Sequence, residues 1–168
     1  DYVQDFIDTE ILAASQVRNL VPFHLFLPLA AAHVGQKLNF SSIAQDLGVD
    51  YKTIQNYFDI LISYQVGFFL NAYDKQIKKV QIQSPRFYFF DPGFHRALAN
   101  TLDQPVVENS VEYNLLFKTF CIHEVYKLNL IHNKYKLSYF ESKDGVGVDL
   151  IIEKPDGSLD LVSHQASQ

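Results

Sequence analysis

The stretch from Leu38 to Ile62 constrains the fold of this chain more than any other. Ile43, Ala44 and Leu47 give one apolar face to a short helix that Ser41 or Ser42 can cap. Gly48 permits a sharp turn, and Asp50 can cap a second helix whose stripe is Ile54, Tyr57, Phe58, Leu61 and Ile62. A helix, a glycine turn and a second helix at this spacing predict a helix-turn-helix. After Gln65-Val66-Gly67 the period shortens. Phe68–Tyr73 and Phe87–Phe90 read as strands separated by a polar, basic segment. Two strands joined by a basic loop directly after a helix-turn-helix predict a winged helix over residues 1–99.

The flanking segments complete an α+β chain. Val3, Phe6, Ile7, Ile11 and Leu12 recur at helical spacing and predict a helix over residues 2–15. Leu20 to Val34 is nearly all apolar and stops at Gly35, with Pro22 suited to a helix start and Pro28 to a kink. Residues 100–109 are polar and irregular, and a domain boundary is expected there. Beyond it, a long helix from Ser110 towards Ile131 precedes three strands, Tyr135–Glu141, Val146–Glu153 and Leu159–Val162, with turns at Lys143-Asp144-Gly145 and Pro155-Asp156-Gly157. Residues 100–168 therefore predict a small αβββ unit.

Charge sorts the possible partners. Across 168 residues the net charge is −5. Residues 1–74 carry a net −5, residues 75–100 a net +4 and residues 101–168 a net −4. Phosphate backbones are drawn by clustered Lys and Arg, so an anionic partner would meet the middle segment. The candidate nucleic-acid contacts are Lys52, Gln55 and Asn56 on the second helix, with Lys78, Lys79 and Arg86 in the basic segment. The plainer readings are a winged helix used for packing or protein contact and a solvated basic loop. The 10 Tyr and 14 Phe are expected to fill core positions before they stack on bases.

Two carboxylates invite a chemical reading. Asp149 interrupts the apolar run Val148–Ile152, where an unpaired charge is costly, and Glu124 lies on the preceding helix. Together they suggest a Mg²⁺ site for phosphodiester cleavage. That chemistry also needs a carboxylate and a lysine on the next strand, which reads Leu161-Val162-Ser163-His164-Gln165 and has neither. His123-Glu124 is not a zincin motif, because position 127 is Lys, and the six histidines show no ligand spacing with Cys121, so no metal site is expected. There is no Walker loop and no Gly-x-Ser-x-Gly elbow, so no cofactor is expected in this chain.

A single cysteine points to a reducing, cytoplasmic setting, and no apolar run approaches the ~20 residues of a membrane span. The chain has no Met and starts at Asp1, which suggests a piece of a longer protein.

The order of these segments resembles the C-terminal region of bacterial and archaeal AAA-type ATPases, where a winged helix and a PD-(D/E)xK nuclease-like unit of unknown function follow the ATPase domain. The resemblance rests on Tyr2-Val3-Gln4-Asp5, Ala30–Asn39, Ile43–Tyr57 and above all Ser84-Pro85-Arg86-Phe87-Tyr88-Phe89-Phe90-Asp91-Pro92-Gly93, similar to that family's Ser-Pro-Lys-x-Tyr-x-x-Asp-x-Gly. It is strong over residues 2–98 and weak beyond 105. The family's Glu-Val-Asp corresponds in this chain to Gly147-Val148-Asp149, its Glu-x-Lys falls on Ser163-His164-Gln165, and an early helix Glu falls on Lys118, while Glu124 matches a helix acidic position. The resemblance implies a nuclease-like unit with a degenerate site and vestigial Glu124 and Asp149. It also implies an upstream domain that uses ATP and Mg, a closing helix after Gln168, and a partner that is protein or nucleic acid. An active Mg²⁺-dependent nuclease and a DNA-binding regulator are the alternatives.

Overall fold

The computed structural model describes residues 2–12, 20–73, 84–142 and 144–164, with backbone alone at Leu12. Lys75, Lys78 and Lys79 lie outside the described residues.

The chain is a mixed α+β protein. Helix α1 (Tyr2–Phe6) runs into a π-helical stretch, Ile7–Leu12, so the expected helix is wider there than a plain α-helix, and its last residues, 13–15, lie outside the described residues. Helix α2 (Leu20–Ala32) keeps Pro28 inside it and buries Phe23, Phe26, Leu27, Ala30 and Ala31. Helices α3 (Phe40–Leu47) and α4 (Tyr51–Ser63) follow the expected pair, with Gly48 left-handed at φ 64 and the Asp50 side chain accepting from Thr53 N–H. The start of α3 differs. Asn39, not Ser41 or Ser42, is the cap, its Oδ1 accepting from Ser42 N–H at 3.1 Å. The helix begins early enough to bury Phe40 against Phe58.

Strands β1 (Gly67–Leu70) and β2 (Arg86–Phe89) pair antiparallel from Gly67↔Phe89 to Leu70↔Arg86. Adjacent side chains of a strand point to opposite faces, which explains the unbroken aromatic run at 87–90. Phe69 and Phe87 meet Phe58 of α4, while Phe68 stacks on Tyr126 at 3.8 Å between centroids. Gly67 is required by close approach, since a Cβ there would lie 2.4 Å from the Phe87 ring and 2.5 Å from Tyr88 O.

Helix α5 (Pro92–Leu98) is capped by Asp91, and α6 (Val111–His132), which carries Tyr126, is capped by Ser110. Strands β3 (Lys136–Glu141), β4 (Gly147–Glu153) and β5 (Leu159–Val162) form an antiparallel sheet in the order β3-β4-β5. The two sheets are stitched by one parallel bridge between Ala72 and Tyr139, and the turn after α2 adds a bridge from Lys37 to Arg86 on the other side of the hairpin.

The segment at 100–109 is an exposed connection, as its polarity implies, yet it does not separate two cores. One buried cluster runs from Ile7 through Phe58, Phe87 and Phe89 to Ile122, Tyr139 and Leu150. Buried residues from both sides of the expected 99/100 boundary belong to this cluster. Among the described residues, no helix is long and apolar enough to cross a membrane.

Candidate functional site

The charged residues that sequence reasoning placed apart meet where β2, β3, β4 and α6 converge. Arg86 opens β2, so its side chain is carried into the core by an otherwise aromatic strand, and it is 8% exposed. Its Nη2 donates to Glu141 Oε2 at 2.6 Å, its Nη1 lies 3.5 Å from Asp149 Oδ1, and its guanidinium sits 4.2 Å over the Tyr139 ring. Lys37 Nζ reaches the second oxygen of Glu141 at 3.0 Å. Lys118, on α6, donates to Asp149 Oδ1 at 3.1 Å, and His164 N–H donates to Asp149 Oδ2 at 3.1 Å. Cations and carboxylates thus alternate along Lys118, Asp149, Arg86, Glu141 and Lys37.

The electrostatics follow from burial and pairing. Burial pushes the Glu141 carboxyl up, but its hydrogen bonds from Arg86 and Lys37 outweigh burial and hold it below its ordinary value. Arg86 feels the opposite forces: burial opposes its charge, and Glu141 and Tyr88 together more than restore it. Burial raises the Tyr88 phenol to about 12, with the Arg86 charge acting against it. The Tyr88 hydroxyl and the Arg86 Nε and Nη1 atoms are buried without a hydrogen bond of normal geometry.

Beside Asp149 lies a cavity of about 150 Å³, whose lining includes Phe117, Lys118, Cys121, Asp149 and His164. The His164 ring packs near Phe117 and its Nε2 meets Asn114 Oδ1 at 3.1 Å. The donor set does not fit a divalent cation. Both oxygens of Asp149 are engaged by N–H or ammonium donors, and Lys118 and Arg86 place positive charge where a metal would sit. Among the described residues, no group of three or more His, Cys, Asp or Glu could hold a metal ion.

Glu124 stands elsewhere in the electrostatics of α6. Its Oε1 pairs with Lys127 Nζ at 2.6 Å and lies 4.0 Å from His123 Nδ1, and the Lys127 hydrogen bond lowers its carboxyl below the ordinary range. Its partners are neighbours on its own helix, whereas those of Asp149 come from β2, α6 and the end of β5. The two carboxylates named from sequence share none of these partners.

The expected nucleic-acid residues divide. Lys52 and Asn56 are exposed on α4, and Gln55 is half-buried beside them. Arg86 is corrected: it is a buried partner of Glu141 and Asp149 and is not presented to a phosphate backbone. Glu141, Tyr139 and Lys37 carry no sequence motif that marks them for this cluster, and Lys118 is marked only by the resemblance, at a helix Glu position. The available signal was that Arg86 and Asp149 each border or interrupt an apolar strand, where a charge needs a counter-charge.

These features define a mixed α+β chain whose central carboxylates, Glu141 and Asp149, are paired with Lys37, Arg86 and Lys118. The chain belongs to the family described as Domain of unknown function (DUF8612), whose model matches residues 1–105. No curated protein and no solved structure matches it.

Proposed function

We propose that this chain is a non-catalytic recognition and interaction region of an AAA-type ATPase, with ATP hydrolysis in a domain upstream of it. In this reading α3, α4, β1 and β2 form a winged helix, and α6 with β3, β4 and β5 forms a PD-(D/E)xK-like unit that no longer carries a working site. The observation that carries the proposal is the occupation of Asp149 by Lys118, Arg86 and the His164 amide, which leaves no free carboxylate oxygen for a catalytic metal.

A protein partner fits the outer face of α4 better than nucleic acid does. That face offers Lys52 against the carboxylates of Asp50 and Asp59, whereas a duplex reader brings several cations to phosphates.

Three measurements test this reading. The parent sequence should contain a Walker loop upstream, and its absence removes the ATPase assignment. Supercoiled DNA incubated with the protein and Mg²⁺ should stay intact, as it should with Asp149→Ala. Cleavage that Asp149→Ala abolishes would establish the nuclease alternative. Duplex DNA should bind weakly, and tight binding with a steep salt dependence would make the protein a DNA-binding regulator instead.

A further inference from the structure

One residue of β3 holds both ends of the connection between β1 and β2. On the side leaving β1, Tyr139 N–H donates to Asn71 O at 2.9 Å and Tyr139 O accepts from Tyr73 N–H at 2.7 Å. On the side returning to β2, the Tyr139 hydroxyl donates to Ser84 O at 2.5 Å, and the Tyr139 ring lies under the Arg86 guanidinium at 4.2 Å. Two residues further along β3, Glu141 draws on the same guanidinium at 2.6 Å. Tyr139 is fully buried, while its hydroxyl contact to Ser84 and the Arg86–Glu141 contact are part-buried.

The division of labour matters. The leaving stem is held by the Tyr139 backbone, which any residue supplies, and the returning stem is held by the hydroxyl and ring, which only this side chain supplies. The stems are joined to each other through the antiparallel pair Leu70↔Arg86. Motion of β3 therefore acts on both stems at once.

We propose that Tyr139 is a latch through which the position of β3 is transmitted to the β1–β2 hairpin. While β3 is seated, both stems are fixed; an event that draws β3 away loosens them together and leaves α3 and α4 in place. The coupling runs through contiguous contacts, and it holds whether or not the chain serves an ATPase.

Hydrogen exchange on residues 1–168 tests it, comparing the parent protein with Tyr139→Phe, which removes the hydroxyl alone, and Tyr139→Leu, which also removes the ring. The expected result for Tyr139→Phe is an exchange rate at least tenfold faster in the returning stem, Arg86–Phe89, and for Tyr139→Leu a rise that also reaches Leu70–Tyr73 through the Leu70↔Arg86 pair, with α3 and α4 unchanged. Faster exchange confined to the Arg86 side in both variants would overturn the latch, because the stems would then respond independently. An equal rise across the whole protein would also overturn it, since that is general destabilisation, and so would unchanged exchange.

Discussion

Arg86 and Glu141, 55 residues apart in sequence, form a 2.6 Å ion pair across the junction of the two sheets. Taking one partner from such a pair leaves the other with less than its full charge balance. Arg86→Met leaves Glu141 to Lys37, and Asp149 to Lys118 and the His164 amide, so neither carboxylate loses every partner. Because Glu141 is only part-buried, we expect the loss of unfolding free energy to fall below the fully buried range, at about 1–3 kcal/mol, read from urea midpoints. Adding Glu141→Gln should recover part of that loss, and a strictly additive double variant would show that the two do not interact.

Gly67 faces a packed strand. A methyl group at this position would lie 2.4 Å from Phe87 and 2.5 Å from the Tyr88 carbonyl, and backbone cannot swing aside as a long side chain can. Gly67→Ala is expected to cost about 1–3 kcal/mol by overpacking, with β1–β2 amides losing exchange protection first. A melting temperature equal to that of the parent would contradict the Gly67↔Phe89 register.

Tyr88 makes the opposite case. Its hydroxyl is buried without a hydrogen bond of normal geometry, and the Arg86 guanidinium beside it offsets only part of the desolvation cost. Tyr88→Phe should leave stability within about 0.5 kcal/mol of the parent or raise it. A clear loss in urea denaturation would mean that the hydroxyl has a partner.

His95 sets a pH dependence. Its Nε2–H donates to Ala31 O at 3.1 Å, its ring stacks on Phe89, and its Nδ1 is buried without a partner. Burial lowers its pKa from the ordinary 6.5, with the Arg96 charge assisting and the Ala31 bond and Glu112 opposing. The unfolded chain therefore takes the proton first as pH falls. The contribution of neutral His95 is complete above pH 6.5 and is lost as pH drops through the depressed value. His95→Gln should flatten stability between neutral and mildly acidic pH, leaving a smaller slope from His123, which burial and Lys127 also depress. Glu141 acts lower: its share is present above pH 4.5 and is lost below it.

Much of the fold is legible in the sequence because its signals are local. Gly48 and Asp50 punctuate α3 and α4 within a few residues, and the αβββ order follows from the apolar period and the turns at Gly145 and Gly157. The π-helical stretch after Phe6 is not legible, since its apolar spacing also suits an ordinary helix. The Asn39 cap is hidden because two serines beside it could cap equally well. The polar cluster is half legible. Asp149 in an apolar strand announces that it needs a partner, but the choice of Lys118 and Arg86 depends on how α6 and β2 pack, 31 and 63 residues away. Arg86 misleads because a lone basic residue next to a basic loop looks solvated until the strand register turns it inward.

The family match stops at residue 105, and the charge balance does not. Arg86 lies within the matched length, while Glu141 and Asp149, which neutralise it, lie beyond. A truncation at that point discards both counter-ions of Arg86 together with the Tyr139 ring that covers it, and bares Phe68 where Tyr126 stacks on it. Expression of the first 105 residues alone should therefore give an insoluble product, and the practical unit of this protein is longer than the stretch by which it is recognised.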